Sequence, residues 1–204
     1  MMSVINTPAD YHFAWYLRPF WWLQKRRYGA VLEPARLWAR TPKVFLAEAL
    51  LYGALDRSSS PIEPALRALI MVRVSQINWC AFCVDINSAA VLKRGVDQAK
   101  LAELADFAAS PLFSEREKAA LAYAEAVTYT ERQPTTEHFS RLRRHFDDDA
   151  IIELTALIAF QNLSSKFNAA LGVEAQGFCT VGRLHEAIDP HHARASTNAG
   201  VDKR

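Results

Sequence analysis

Val74-Ser75-Gln76-Ile77-Asn78-Trp79-Cys80-Ala81-Phe82-Cys83-Val84-Asp85-Ile86-Asn87 decides how this chain is read. Two of its three cysteines lie three residues apart here, at what reads as a helix start. Asn78 suits the N-cap, because its side-chain oxygen accepts from the unpaired N–H groups of a first turn. That cap places Cys80 in the first turn, where the positive end of the helix dipole favours a thiolate. At about 100° per residue, Cys80, Cys83 and Asn87 share a stripe roughly 60° wide, and Cys83 comes within disulfide reach of Cys80. On this geometry Cys80 is the more accessible thiol and the one that begins chemistry.

Outward from this stretch, capping signals alternate with apolar residues at helical spacing. Thr41-Pro42 opens a helix over Lys43 to Leu55, and Ser60-Pro61 opens another from Ile62 to about Ile77. The cysteine helix runs on to Arg94, with Gly95 just past its end. Asp97 caps a short helix to about Ala108, and Ser114 caps one over Glu115 to Thr130. Thr135 or Thr136 begins a short helix ending near Phe146, and Asp147-Asp148-Asp149 heads a long apolar helix reaching Leu171. Carboxylates at the positive end of a helix dipole need no metal to explain them. With no period-2 strand pattern and no Gly-rich phosphate loop, the expected fold class is all-α. The last long helix is apolar nearly all round, which asks for burial on most sides and makes a homo-oligomer the expectation.

Three segments follow. Residues 1–42 form an aromatic-rich N-terminal extension, residues 43–172 a helical core, and residues 173–204 a C-terminal segment expected to be mobile from about 185. In the extension, Phe13, Trp15, Phe20, Trp21 and Trp22 precede Lys25-Arg26-Arg27. Pro19 interrupts the pattern, so two short pieces packed on the body or on a neighbouring subunit are expected, not a membrane foot.

Half of the 204 residues are hydrophobic and 23% are charged, with a net charge of +2. Nothing in that balance calls for nucleic acid, and the basic clusters read as solvated helix faces. No signal-peptide pattern and no run of about 18 apolar residues is visible, so no membrane contact and a cytoplasmic location are expected. Three cysteines are too few for a secreted disulfide scaffold, and a close pair in a reducing compartment points to catalysis or metal. Structural zinc needs four ligands, whereas Cys179 and His191-His192 are remote in sequence from the pair. Thiol redox chemistry without a cofactor or metal is therefore the leading reading, and two inert buried cysteines the plain alternative.

Arg73 followed by the stretch Val74 to Asn87 resembles the core motif of the alkylhydroperoxidase D-like, carboxymuconolactone decarboxylase family. A looser similarity extends from Lys43 to Leu171. Within it, Phe160-Gln161-Asn162-Leu163-Ser164-Ser165-Lys166-Phe167-Asn168 resembles the closing long helix of that family. The resemblance implies an all-helical bundle assembled as trimers or hexamers. In the peroxidase branch it implies an antioxidant activity that reduces small hydroperoxides through a redox-active disulfide. There the second cysteine of the pair attacks, the first resolves, and an external thiol reductant restores both. That order opposes the dipole argument, and Cys83 becomes the peroxidatic candidate with Cys80 as its partner.

The same branch moves the proton through a Glu-His-water relay, and this chain departs from it at both ends. The His position, four residues after the second cysteine, holds Asn87, and the Glu position, 12 residues before the first, holds Ala68. Neither side chain titrates near neutral pH. Ser75, two turns beyond Ala68 on the same face, offers with Asn87 a hydrogen-bonded substitute, while Glu63 and His138 are candidates from elsewhere. The sequence thus reads as a peroxidase-type thiol oxidoreductase with an altered relay and weak turnover. Two alternatives stand beside it. One is a non-peroxidase member of the family that binds or transforms a small carbonyl or lactone compound. The other is an inert structural oligomer.

Overall fold

The computed structural model describes residues 4–8 and 10–179; the tail expected to be mobile from about 185 lies outside the described residues. All regular structure among the described residues is helical. The extension forms a short 3-10 turn, Trp15–Leu17, and α1, Arg18–Tyr28. Then come α2 at Glu33–Trp38, α3 at Pro42–Leu55, α4 at Pro64–Ile77 and α5 at Ala81–Lys93. The series closes with α6 at Gln98–Ala102, α7 at Glu115–Thr128, α8 at Thr136–Leu142 and α9 at Asp148–Ala170.

The boundaries follow from local chemistry. A proline stands in the first turn of each of α1 to α4, where its missing N–H costs nothing. Asp97, Ser114 and Asp147 cap α6, α7 and α9 through their side chains, and Ser114 forms a capping box with Glu117. Pro19 therefore does not break the aromatic segment but starts α1. The helix expected to end near Ala108 stops at Ala102 and passes into a 3-10 turn, Leu104–Asp106.

α4 is the centre of the bundle. It packs against α5, α7 and α9, and Leu66 through Val72 are buried on every side. The last helix, whose apolar sequence asks for burial on most sides, is buried along one face in this chain. α9 buries Ala150, Ile151, Leu154, Leu157, Ile158, Phe160, Gln161, Ser165 and Asn168, one broad face about half its circumference, and leaves Ile152 and Leu163 exposed on the other. Inside, the side chain of Arg67 is nearly fully buried; it donates to the Ile62 carbonyl at 2.7 Å and pairs with Asp56, which also receives Arg94 at 2.8 Å. This carboxylate pins the start of α4 to the end of α5.

A second apolar cluster lies over the cysteine helix. Leu17, Leu32, Ala35, Leu37, Trp38 and Phe45 from the N-terminal half meet Cys80, Phe82, Cys83 and Val173. Phe20 and Trp21 both pack on Phe45, with ring centroids 4.6 and 5.9 Å away. The aromatic extension is thus a roof on its own chain, with Trp15 and Trp22 left exposed.

Candidate active site

The turn between α4 and α5 sets the cysteines in place. α4 ends at Ile77 with Asn78 as its C-cap, and the N-cap of α5 is Cys80, not Asn78. The three-residue link reverses tightly, and Trp79 takes a left-handed conformation (φ 55°) that only glycine adopts freely. The Asn78 side chain instead donates to Asn162 Oδ1 and Ser165 Oγ, both at 2.9 Å, fastening the turn to α9. Propensity favoured Asn as the cap; the tertiary contact to α9 takes it out of that role.

Cys80 and Cys83 are joined in a disulfide, with Cα atoms 5.2 Å apart. The N–H of Cys83 donates to Cys80 Sγ at 3.1 Å, so the sulfur does the capping. Both sulfurs are buried, so Cys80 is not the exposed thiol expected at a helix start. Cys80 is fully buried, whereas Cys83 forms part of the wall of a cavity of about 920 Å³. The N-terminal roof, α3, α5 and α9 line this cavity, and its wall is largely apolar, with Trp38, Phe45, Phe82, Phe160 and Phe178 among its aromatic members. Trp38 is itself stacked on Phe167 at 3.6 Å.

Asn168, from the last turns of α9, is the nearest polar neighbour of the pair. Its Nδ2 donates to Cys83 Sγ at 3.3 Å, while its buried Oδ1 has no partner among the described residues. A buried amide oxygen without a donor costs free energy until something supplies one. Gln161, two turns further back on the same face of α9, donates to Ser75 Oγ at 2.9 Å, and Ser75 donates to the Met71 carbonyl at 2.6 Å. This seam of polar groups holds α9 in register against α4.

Asp85 acts at the far wall. Its carboxylate accepts from the backbone N–H groups of Gln176, Phe178 and Cys179 at 2.8, 3.1 and 2.6 Å. These bonds fix Phe178, which meets Tyr28 and Phe82 edge-on and closes the cavity on that side. The third cysteine, Cys179, is free and buried.

The sequence candidates separate as follows. Cys83 and Asn87 line the cavity. Ala68 and Ser75 do not; both are buried in the bundle, and the Ser75 hydroxyl is engaged by Gln161. Glu63 pairs with Arg116 at the start of α4, and the His138 ring bonds Thr135 at the start of α8, so neither meets the cysteines. Sequence reasoning passed over Asn168 and Glu48. Glu48 of α3 lines the cavity, and burial pushes its carboxyl up to about 7. The signal was a single carboxylate within the apolar run Val44 to Leu51, which periodicity alone treats as a surface position.

With this geometry in view, the likeness to known proteins is informative. The sequence profile of the carboxymuconolactone decarboxylase family matches residues 42–126. The uncharacterized protein YnjA of Escherichia coli (strain K12) is 46% identical over 167 residues, covering 81% of this chain and 91% of that one. Among solved structures, the alkylhydroperoxidase AhpD core of an uncharacterized peroxidase-related protein from Ralstonia eutropha JMP134 superposes with a TM-score of 0.77 at 20% identity. It covers 91% of this chain and 95% of that one. The debrominase Bmp8, as a cysteine-to-alanine variant in complex with 2,3,4-tribromopyrrole, superposes with a TM-score of 0.75 at 24% identity. It covers 92% of this chain and all of its own, 100%. At such identities the solved structures establish the helical fold.

Proposed function

This chain belongs to the carboxymuconolactone decarboxylase family, alkylhydroperoxidase D-like in fold, and we propose that it reduces apolar organic hydroperoxides with Cys83 attacking and Cys80 resolving. The observation that carries this reading is the asymmetry of the pair: Cys83 faces the cavity and Cys80 is sealed behind it.

The reduced pair begins the cycle. The Asn168 amide donates toward Cys83 Sγ, and a donor at that position favours the thiolate. The thiolate attacks the terminal oxygen of the hydroperoxide, the O–O bond breaks, and an alcohol leaves with one proton. The unpaired Asn168 Oδ1 suits the hydroperoxide O–H as its missing donor. Cys83 is then a sulfenic acid, and the Cys80 thiol displaces its hydroxyl as water to form the disulfide. An external dithiol restores both cysteines by exchange. The aromatic wall selects a substrate with an apolar body, since burying aromatic or aliphatic surface there is favourable.

A second reading rests on that same wall and on the likeness to Bmp8. A halogenated aromatic ring fits it, and the dithiol supplies the two electrons that replace a carbon–halogen bond with carbon–hydrogen as halide leaves. Reduced protein mixed with one equivalent of cumene hydroperoxide, or of 2,3,4-tribromopyrrole, separates the two. The peroxide reading expects two thiols lost and one cumyl alcohol formed per chain, and neither with Cys83→Ser. Halide release alone supports the second reading. Thiols untouched by both compounds contradict both.

A further inference from the structure

Both ends of the expected proton relay are missing, yet the cycle must move a proton from thiol to departing alkoxide. Glu48 stands in the same cavity as Cys83, Asn87 and Asn168. It makes no hydrogen bond or ion pair with any described residue, whereas Glu63 and Glu125 are held in ion pairs. A half-buried carboxyl lining the same cavity as the reactive thiol, and without a partner in the fold, is the arrangement expected of an acid–base group.

We infer that Glu48 is the proton shuttle of this cavity, taking the proton from the Cys83 thiol and delivering it to the alkoxide released from the hydroperoxide. The inference rests on the peroxidase reading above. In balance, Glu48 carboxylate and thiol become carboxylic acid and thiolate. Attack then gives sulfenic acid and alkoxide, and the acid protonates the alkoxide, returning to carboxylate. Nothing else is consumed.

The surroundings leave Glu48 free to do this. From α1 the cavity is faced by Arg27 and Tyr28, from α3 by Tyr52, and from α5 by Lys93 and Arg94 besides Cys83. Arg94 is bound to Asp56 and to the Pro64 carbonyl, Tyr52 bonds Asp56, and Arg27 lies over the Tyr28 ring. α2, α4 and α9 present no charged side chain to it. Lys93 faces the same cavity, and burial pushes the Glu48 carboxyl up to about 7, where acid and base forms are both populated at neutral pH. Asn87 contributes a polar, non-titrating neighbour in place of the relay histidine.

The test follows disulfide formation in the reduced chain with cumene hydroperoxide from pH 5 to pH 9, for the wild type, Glu48→Gln and Glu48→Asp. The wild-type rate rises through a limb centred near the value for Glu48, about 7. Glu48→Gln lacks that limb and is roughly 10²-fold slower at neutral pH, while Glu48→Asp keeps the limb at reduced rate. Iodoacetamide alkylation at pH 9, above the ordinary thiol range, where Cys83 ionises without help from Glu48, reports whether the Cys83 pocket is intact and changes less than about threefold in Glu48→Gln. A limb unchanged in Glu48→Gln overturns the shuttle and leaves the peroxidase reading standing. A wild type no faster than Cys83→Ser overturns both.

Discussion

The side-chain amide of Asn168 donates to Sγ of Cys83 across 3.3 Å, joining the end of α9 to the start of α5 at the reactive sulfur. Asn168 is itself buried, so this bond is not shared with solvent. A donor held there by the fold lowers the cost of carrying charge on the sulfur.

Replacing Asn168 with Leu keeps the volume and removes the donor. A hydrogen bond to a charged group is worth about 1.5–3 kcal/mol, so iodoacetamide alkylation of reduced Cys83 at pH 7 should slow about tenfold or more. Gln161→Leu, which removes a bond to Ser75 and none to sulfur, is expected to lower stability without that loss of reactivity.

Glu48 makes stability depend on pH in a definite direction. Its carboxyl is raised from 4.5 in the unfolded reference to about 7 in the fold. Below the lower value both states are protonated and the fold carries no penalty. As pH rises through that window the unfolded chain releases the proton first, so stability falls, and the loss is complete above the folded value. Glu48→Gln removes this dependence. Urea unfolding should show the variant gaining on the wild type by on the order of 3 kcal/mol between pH 4.5 and pH 8.

Asp85→Ala leaves three backbone N–H groups of the segment 176–179 without their acceptor. The expected cost is about 3 kcal/mol or more, read as a lower urea midpoint. Faster proteolysis between Gln176 and Cys179 should accompany it, because Phe178 is released from Tyr28 and Phe82.

Much of the fold was legible in the chain because caps and prolines act locally. Asp97, Ser114 and Asp147 sit where their side-chain chemistry requires, and an all-helical bundle with a Cys-x-x-Cys at a helix start follows from them. What escaped was set by packing between distant elements. Asn78 reads as an N-cap until Asn162 and Ser165 claim its amide, and that displacement moves the cap to Cys80 and buries that sulfur. The family resemblance named Cys83 as the attacking residue while the isolated helix argument named Cys80; the cavity wall favours Cys83. Glu48 was invisible because its significance depends on the N-terminal roof closing over α3, which no local pattern announces.

That roof also bears on assembly. Trp15, Trp22 and Leu50 remain 79%, 61% and 74% exposed on α1, α3 and the turn before them, large apolar side chains that a partner subunit would bury. A homo-oligomer is the expected result of light scattering, and Trp22→Lys with Leu50→Lys should reduce its mass. Deleting residues 1–28 is a poorer test, because it also strips Leu17 and Phe20 from the cover of the cysteines. A monomeric wild type at micromolar concentration contradicts the expectation.

The claim on which the account turns is that Cys83 reacts and Cys80 resolves. Cys80→Ser protein, reduced and exposed to one equivalent of cumene hydroperoxide with dimedone present, tests it by peptide mass spectrometry. The expected result is a dimedone-trapped sulfenic acid on Cys83, no disulfide to Cys179, and no adduct at Cys80 in the matching Cys83→Ser protein. A sulfenic acid on Cys80 in the Cys83→Ser protein, with Cys83 unmodified when it stands alone, would contradict it.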